Sequence, residues 1–175
     1  MDPSKHCQLC ENQLVDIQTG TTCALTNKPP DFREKCPDIR FEDKYEEKIR
    51  EINIEYDKVR RTRGISYANF FFYITISIVI MVAGYLIGKY ALEKGVISTV
   101  PLIIMGVGVL VLPMAAGPLN KYRTTMKIAR KKLTELNELL AIYNIQYTID
   151  VIVNKDRHGN EDIETKLFFQ RKHHR

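Results

Sequence analysis

Apolar positions recur along the chain with three different periods, and the two longest runs decide where the rest must sit. From Gly64 to Gly88 and again from Gly95 to Asn120 no charged residue occurs, and only Lys89, Glu93 and Lys94 separate the two runs. At a helical rise of about 1.5 Å per residue, a run of about 25 residues crosses a hydrocarbon core of about 30 Å. The pattern predicts a transmembrane hairpin: one span at 64–88, a short external loop at 89–95 and a second span at 96–118. Pro113 and Pro118 fall near the end of the second run, where Pro113 is expected to kink the helix.

On either side of the hairpin the period becomes helical and amphipathic. Phe41, Tyr45, Ile49, Ile52, Tyr56 and Val59 recur at steps of three and four among charged residues, which predicts a juxtamembrane helix over 38–63 with Asp38 as its cap. After the second span, Leu119, Tyr122, Met126, Ala129, Leu133, Leu136, Leu140 and Tyr143 form a heptad seam over 119–144. Both helices leave the same side of the hairpin, so they are expected to pair as an antiparallel coiled-coil stalk, with dimerisation as the other way to cover the stripes. Beyond Asn144 the period falls to two. Ile145, Tyr147, Ile149, Val151 and Val153, then Ile163, Thr165, Leu167 and Phe169, predict a β-hairpin over 145–170, with 171–175 as a basic tail. A lone hairpin is unstable in water, so it must pack on the N-terminal segment, the stalk or another subunit. The fold class is a mainly α membrane protein.

Charge orients this arrangement. Residues 1–57 hold eight Lys and Arg against thirteen Asp and Glu, residues 58–132 hold twelve against one, and residues 133–175 hold six against seven. The basic excess is concentrated at Lys58, Arg60, Arg61 and Arg63 before the first span and at Lys121, Arg123, Lys127, Arg130, Lys131 and Lys132 after the second. Ten basic residues on the outer flanks against two in the loop place both termini in the cytosol of a multi-pass cell-membrane protein, with a bacterial inner membrane as the expected location. The flanks are expected to meet the bilayer's anionic headgroups. No base-stacking platform accompanies them, so nucleic acid is not an expected partner. No apolar stretch follows Met1, so no cleavable signal peptide is expected.

The segment 1–37 is polar and turn-rich and holds all four cysteines, spaced C-x2-C-x12-C-x12-C at Cys7, Cys10, Cys23 and Cys36. In a reducing cytosol a lasting disulfide is not expected. The leading C-x2-C presents two thiolates to one metal ion, and the later pair would close a structural zinc site without an open coordination position. Metal would then supply the folding free energy that an apolar core does not. Unpaired thiols, or a redox pair at Cys7 and Cys10, are the alternatives. Cys7-Gln8-Leu9-Cys10, the stretch from Gly20 to Thr26, the stretch from Lys28 to Phe32 and Cys36-Pro37-Asp38 resemble a cysteine-rich leader of small, uncharacterised bacterial two-span membrane proteins. The likeness covers about the first 40 residues and implies no activity.

Other features have plain readings. Gly84, Gly88, Gly106 and Gly108 form small-residue patches that suit close packing inside the hairpin. No ionisable group lies deep in either span, which leaves a proton or ion relay without support. His158 reads as a turn residue and His173 and His174 as tail. No phosphate-loop, serine-hydrolase or zinc-protease string occurs. The expected role is therefore non-enzymatic: a membrane-anchored module for binding an unknown protein partner or its own copies. The alternative is a membrane-perturbing or pore-forming effector assembled by oligomerisation, followed by a cysteine-based redox protein.

Overall fold

A computed structural model describes residues 3–18, 20–91, 99–155 and 161–171. The chain is mainly helical and divides into two compact units, Lys58–Ile128 and a discontinuous unit made of Met1–Asp57 and Ala129–Arg175. Along the chain the elements are α1 (Pro3–Cys7), β1 (Gln13–Asp16), β2 (Gly20–Cys23), α2 (Asp43–Arg61), α3 (Arg63–Leu86), a π-helical turn (Ile87–Ala91), α4 (Thr99–Ile142), β3 (Ile145–Lys155) and β4 (Glu161–Arg171).

The unit Lys58–Ile128 contains two helical segments long and apolar enough to cross a membrane. Only 11% of the most apolar window of each is buried within the chain. Their large side chains point outward, among them Phe71, Phe72, Val79, Ile103 and Leu110. Where α3 and α4 meet, small residues let the backbones approach. A Cβ on Gly84 would lie 3.0 Å from the Ile104 side chain, and one on Gly108 would lie 2.6 Å from Met81 and 3.2 Å from the Ser77 carbonyl oxygen. Gly88 faces Pro101 at 3.3 Å. Gly106 has no neighbour within 4 Å, which removes it from the expected packing patch. It shares a helix with Gly108 but, two residues away, points about 200° round it.

One boundary differs from the sequence reading. The second span and the heptad-patterned segment, 96–118 and 119–144, run on as one helix, with Pro113 and Pro118 inside it. Proline there leaves the carbonyls of Val109 and Met114 without their usual donors. Pro101 sits in the first turn, where no donor is needed. The first juxtamembrane helix begins at Asp43 rather than 38, because residues 38–41 are held by the N-terminal segment: Glu11 N–H donates to the Arg40 carbonyl at 3.2 Å. Its cap is also remote. The Glu11 carboxylate accepts the backbone N–H of Lys44 at 2.8 Å, in the first turn of α2, which is the role expected of Asp38. The external loop lies largely outside the described residues, as do His158, His173 and His174.

In the discontinuous unit, buried Leu9, Ile49, Leu136, Leu139 and Leu140 form one apolar cluster. Three of these belong to the amphipathic stripes read from sequence, and of the seam residues of α4, Leu119, Ala129, Leu136 and Leu140 are buried. Lys132, expected among the headgroup-facing cations, instead donates to both oxygens of Glu55 on α2, at 2.9 and 2.8 Å. Asn144 closes α4 with φ 56°, a left-handed conformation that asparagine tolerates after a helix end. The chain then enters β3.

Strands β3 and β4 are antiparallel, with Tyr147 opposite Phe169, Ile149 opposite Leu167 and Val153 opposite Ile163. The pairing confirms the alternation and extends two residues beyond it on each side of the turn. The hairpin packs by its root on α2 and α4. Ile145, Tyr147 and Leu167 lie against the apolar cluster, Asn53 donates to the Tyr147 hydroxyl at 3.1 Å, and that hydroxyl donates to Asn137 at 2.9 Å. Arg50 reaches the Thr165 hydroxyl at 3.2 Å.

Candidate functional site

The four cysteines are separated by up to 29 residues in sequence, yet all of them line one cavity of about 260 Å³ in the discontinuous unit. Each is placed by a different local device. Cys7 ends α1 and Cys10 closes the turn that follows, its N–H donating to the Cys7 carbonyl at 3.0 Å. Cys23 ends β2, directly opposite Gln13 in the small β1–β2 hairpin, and the Gln13 N–H in turn donates to the Cys10 carbonyl at 3.2 Å. This hairpin was not legible in the turn-rich composition. Gly20 at φ +78° makes its tight return possible. The Cys23 carbonyl then accepts the N–H of Asn27 at 2.7 Å, which turns the chain back past Lys28 and Pro29 along the cavity wall.

Cys36 is fixed from a distance. Its backbone N–H donates to the Tyr143 hydroxyl at 3.0 Å, and that hydroxyl lies 2.7 Å from His6 Nδ1. Since the phenol oxygen already accepts from Cys36, its own proton is available to His6. Phe32 and Tyr143 both meet the His6 ring edge-to-face, with centroids 5.1 and 5.6 Å away. Thus His6 is a buried support of the cavity wall, and Tyr143, read as a seam residue, joins it to Cys36.

The cavity disfavours charge in its unligated form. Burial pushes the Cys7 thiol up to about 11, and the charges that Cys36, Cys10 and Cys23 would carry push it the same way. Burial also raises Cys36, opposed by the backbone N–H of Asp38, which donates to its sulfur. Burial lowers His6, helped by the nearby N-terminus, and raises Tyr143. A second N–H to sulfur bond runs from Arg40 to Cys10 at 3.5 Å. The buried Asn12 Nδ2, on the same wall, has no hydrogen-bond partner among the described residues. All four cysteines are free thiols, and among the described residues no group of three or more His, Cys, Asp or Glu side chains is arranged to hold a metal ion. The cysteines ring the cavity without converging on one point.

The other residues singled out from sequence do not join this site. Lys58, Arg60, Arg61 and Arg63, and Lys121, Arg123, Lys127, Arg130, Lys131 and Lys132, are exposed on the helices. Arg63 lies over the Tyr67 ring at 5.9 Å, and Tyr67 meets Tyr122 at 6.3 Å, an aromatic and basic grouping of the kind found at membrane interfaces. Comparison with protein-family models, curated proteins and solved structures finds no match to this chain.

Proposed function

We propose that this is a two-span integral membrane protein of the bacterial inner membrane, with both termini in the cytosol, and that it tethers a small folded head there to bind a protein partner or a second copy of itself. The membrane half of the reading is supported by the outward-facing apolar side chains of α3 and α4 and by the exposed basic flanks beside them. The binding half is carried by one observation. The β1–β2 hairpin of the head leaves Leu14, Val15 and Ile17 exposed, with Ile17 wholly so, and Leu25 is exposed just after it. Apolar exposure on this polar segment supports an interaction surface there.

The test is topology and crosslinking together. Reporter fusions at the C-terminus and in the connection between the spans should read cytosolic and external respectively, and alkaline carbonate should not extract the protein. A photo-crosslinking residue at Val15 should trap an adduct in intact cells, either at twice the chain mass or with a defined second protein, whereas one at Asp150 on β3 should not. An extractable protein, or a Val15 probe as silent as the control, overturns the reading. Dye release from vesicles holding the protein at densities where it oligomerises would favour a membrane-perturbing role instead.

A further inference from the structure

We propose that Cys7, Cys10, Cys23 and Cys36 bind one zinc ion as four thiolates. Three separate pieces of chain deliver these sulfurs to one cavity. Among the described residues of 3–42, the buried apolar side chains are Cys7, Leu9 and Cys10, so this segment has little core of its own. A metal ion supplies such a segment with folding free energy.

Burial alone favours the neutral Cys7 thiol, and nearby donors and cations would offset part of the cost of four thiolates. The N–H groups of Arg40 and Asp38 already point at the sulfurs of Cys10 and Cys36, and hydrogen bonds of this kind strengthen when the acceptor carries charge. Asn12 Nδ2 gives the wall one more donor without an acceptor among the described residues. Lys28 lines the cavity and Lys44 lies close enough for its charge to act on Cys7. Both offset the two negative charges left when four thiolates meet one Zn²⁺.

Binding releases four protons, one from each thiol, and forms four zinc–sulfur bonds of about 2.3 Å. The ligand set contracts from the cavity wall onto the ion, and no position remains open for substrate. Such a site is structural. Its position also links it to the rest of the head, because Cys36 hangs on Tyr143 at the end of α4.

The experiment uses the full chain, purified in detergent without chelator and with a tag that holds no histidine. Elemental analysis should find about one zinc per chain. Cobalt exchanged into the site should give thiolate-to-metal charge-transfer absorption with the intense visible bands of a tetrahedral ion, and Cys23→Ser and Cys36→Ser should each lose the zinc. A wild-type protein that holds no zinc after reconstitution and desalting, a cobalt form without the thiolate band, or zinc fully retained in both serine variants overturns the proposal. If the serine variants fail to fold, the wild type decides alone. All four thiols should alkylate together about tenfold more slowly with zinc than after chelation, and equal rates refute the site. None of these outcomes moves the topology reporters, so failure here is separate from failure of the membrane reading.

Discussion

Ser77 donates its hydroxyl proton to the carbonyl oxygen of Gly108 at 2.7 Å, from a side chain with no solvent exposure. The two residues need each other. Gly108 brings its carbonyl within reach only because it has no Cβ, and the space a Cβ would fill belongs to Met81 and to the Ser77 carbonyl. Serine inside an apolar helix is tolerable because this partner exists.

Ser77→Ala should weaken the α3–α4 pair by about 0.6–1.7 kcal/mol, the range of interhelical hydrogen bonds in membranes. Gly108→Leu should cost about 1–3 kcal/mol or more through overpacking. Gly106→Leu, with open space around it, should change stability little. Unfolding in mixed micelles measures all three, and equal effects at 106 and 108 would contradict this packing.

The remote cap makes a second contrast. Glu11→Ala removes the acceptor for the Lys44 N–H and should cost about 0.5–2 kcal/mol with fraying of the first turn of α2. Asp38→Ala, at the position that local sequence favours as the cap, should leave that turn intact. Amide exchange at Lys44 and Tyr45 reads the difference.

Tyr143→Phe leaves the Cys36 N–H without its acceptor and His6 without its hydroxyl partner. A loss of about 1 kcal/mol in the head follows from stranding a part-buried donor. Faster exchange of the Cys36 amide locates the loss, and an unchanged amide would break the link between the cavity and α4.

Tyr147 supplies the pH dependence. Burial raises its pKa, opposed by the hydrogen bond from Asn53. A group with a raised folded pKa contributes stability that is complete below its unfolded value, here about 10, and that is lost as pH climbs through the folded value. Alkaline unfolding should therefore set in above about pH 10, and Tyr147→Phe should flatten this limb while lowering stability at neutral pH, where the hydroxyl bonds Asn137.

The apolar core should contribute more to the head's stability than its surface charge pairs. Ile49→Ala should cost about 2–5 kcal/mol, since Ile49 is wholly buried among Leu9, Leu136, Leu139 and Leu140. Glu55→Gln, which weakens the half-exposed pair with Lys132, should cost under about 1 kcal/mol and matter less in salt. Thermal melts that rank these two in the opposite order would show the head to be held by charge rather than packing.

The legible parts of this fold are those that repeat locally. Twenty-five uncharged residues, the Leu119 to Tyr143 seam and the alternation from Ile145 each announce their element through period alone, and each element forms. What escaped reading depends on contacts across long sequence distances. Glu11 caps α2 from 33 residues away, so Asp38, the nearer residue of suitable type, was favoured wrongly. Gly106 and Gly108 are alike in composition and differ only in which side of α4 they occupy. The cavity was half legible: the spacing of the cysteines suggested that they meet, while their supports, His6 and Tyr143, are 137 residues apart and carried no signal. Pro113 and Pro118 lie inside α4 without ending it.

The head is discontinuous, and this sets a timetable for its birth. His6, Cys36 and Ile49 are synthesised long before Tyr143, Leu136 and Leu140, with both long apolar helices in between. At roughly 5–20 residues per second, the interval between His6 and Tyr143 is on the order of 10 s. Throughout it Cys36 lacks Tyr143 and Ile49 lacks Leu136 and Leu140, which leaves the half-built head open to proteases and chaperones. Completion of the head thus reports that both helices have been made, and a ribosome that stalls between them leaves a recognisably unfinished protein for quality control to remove.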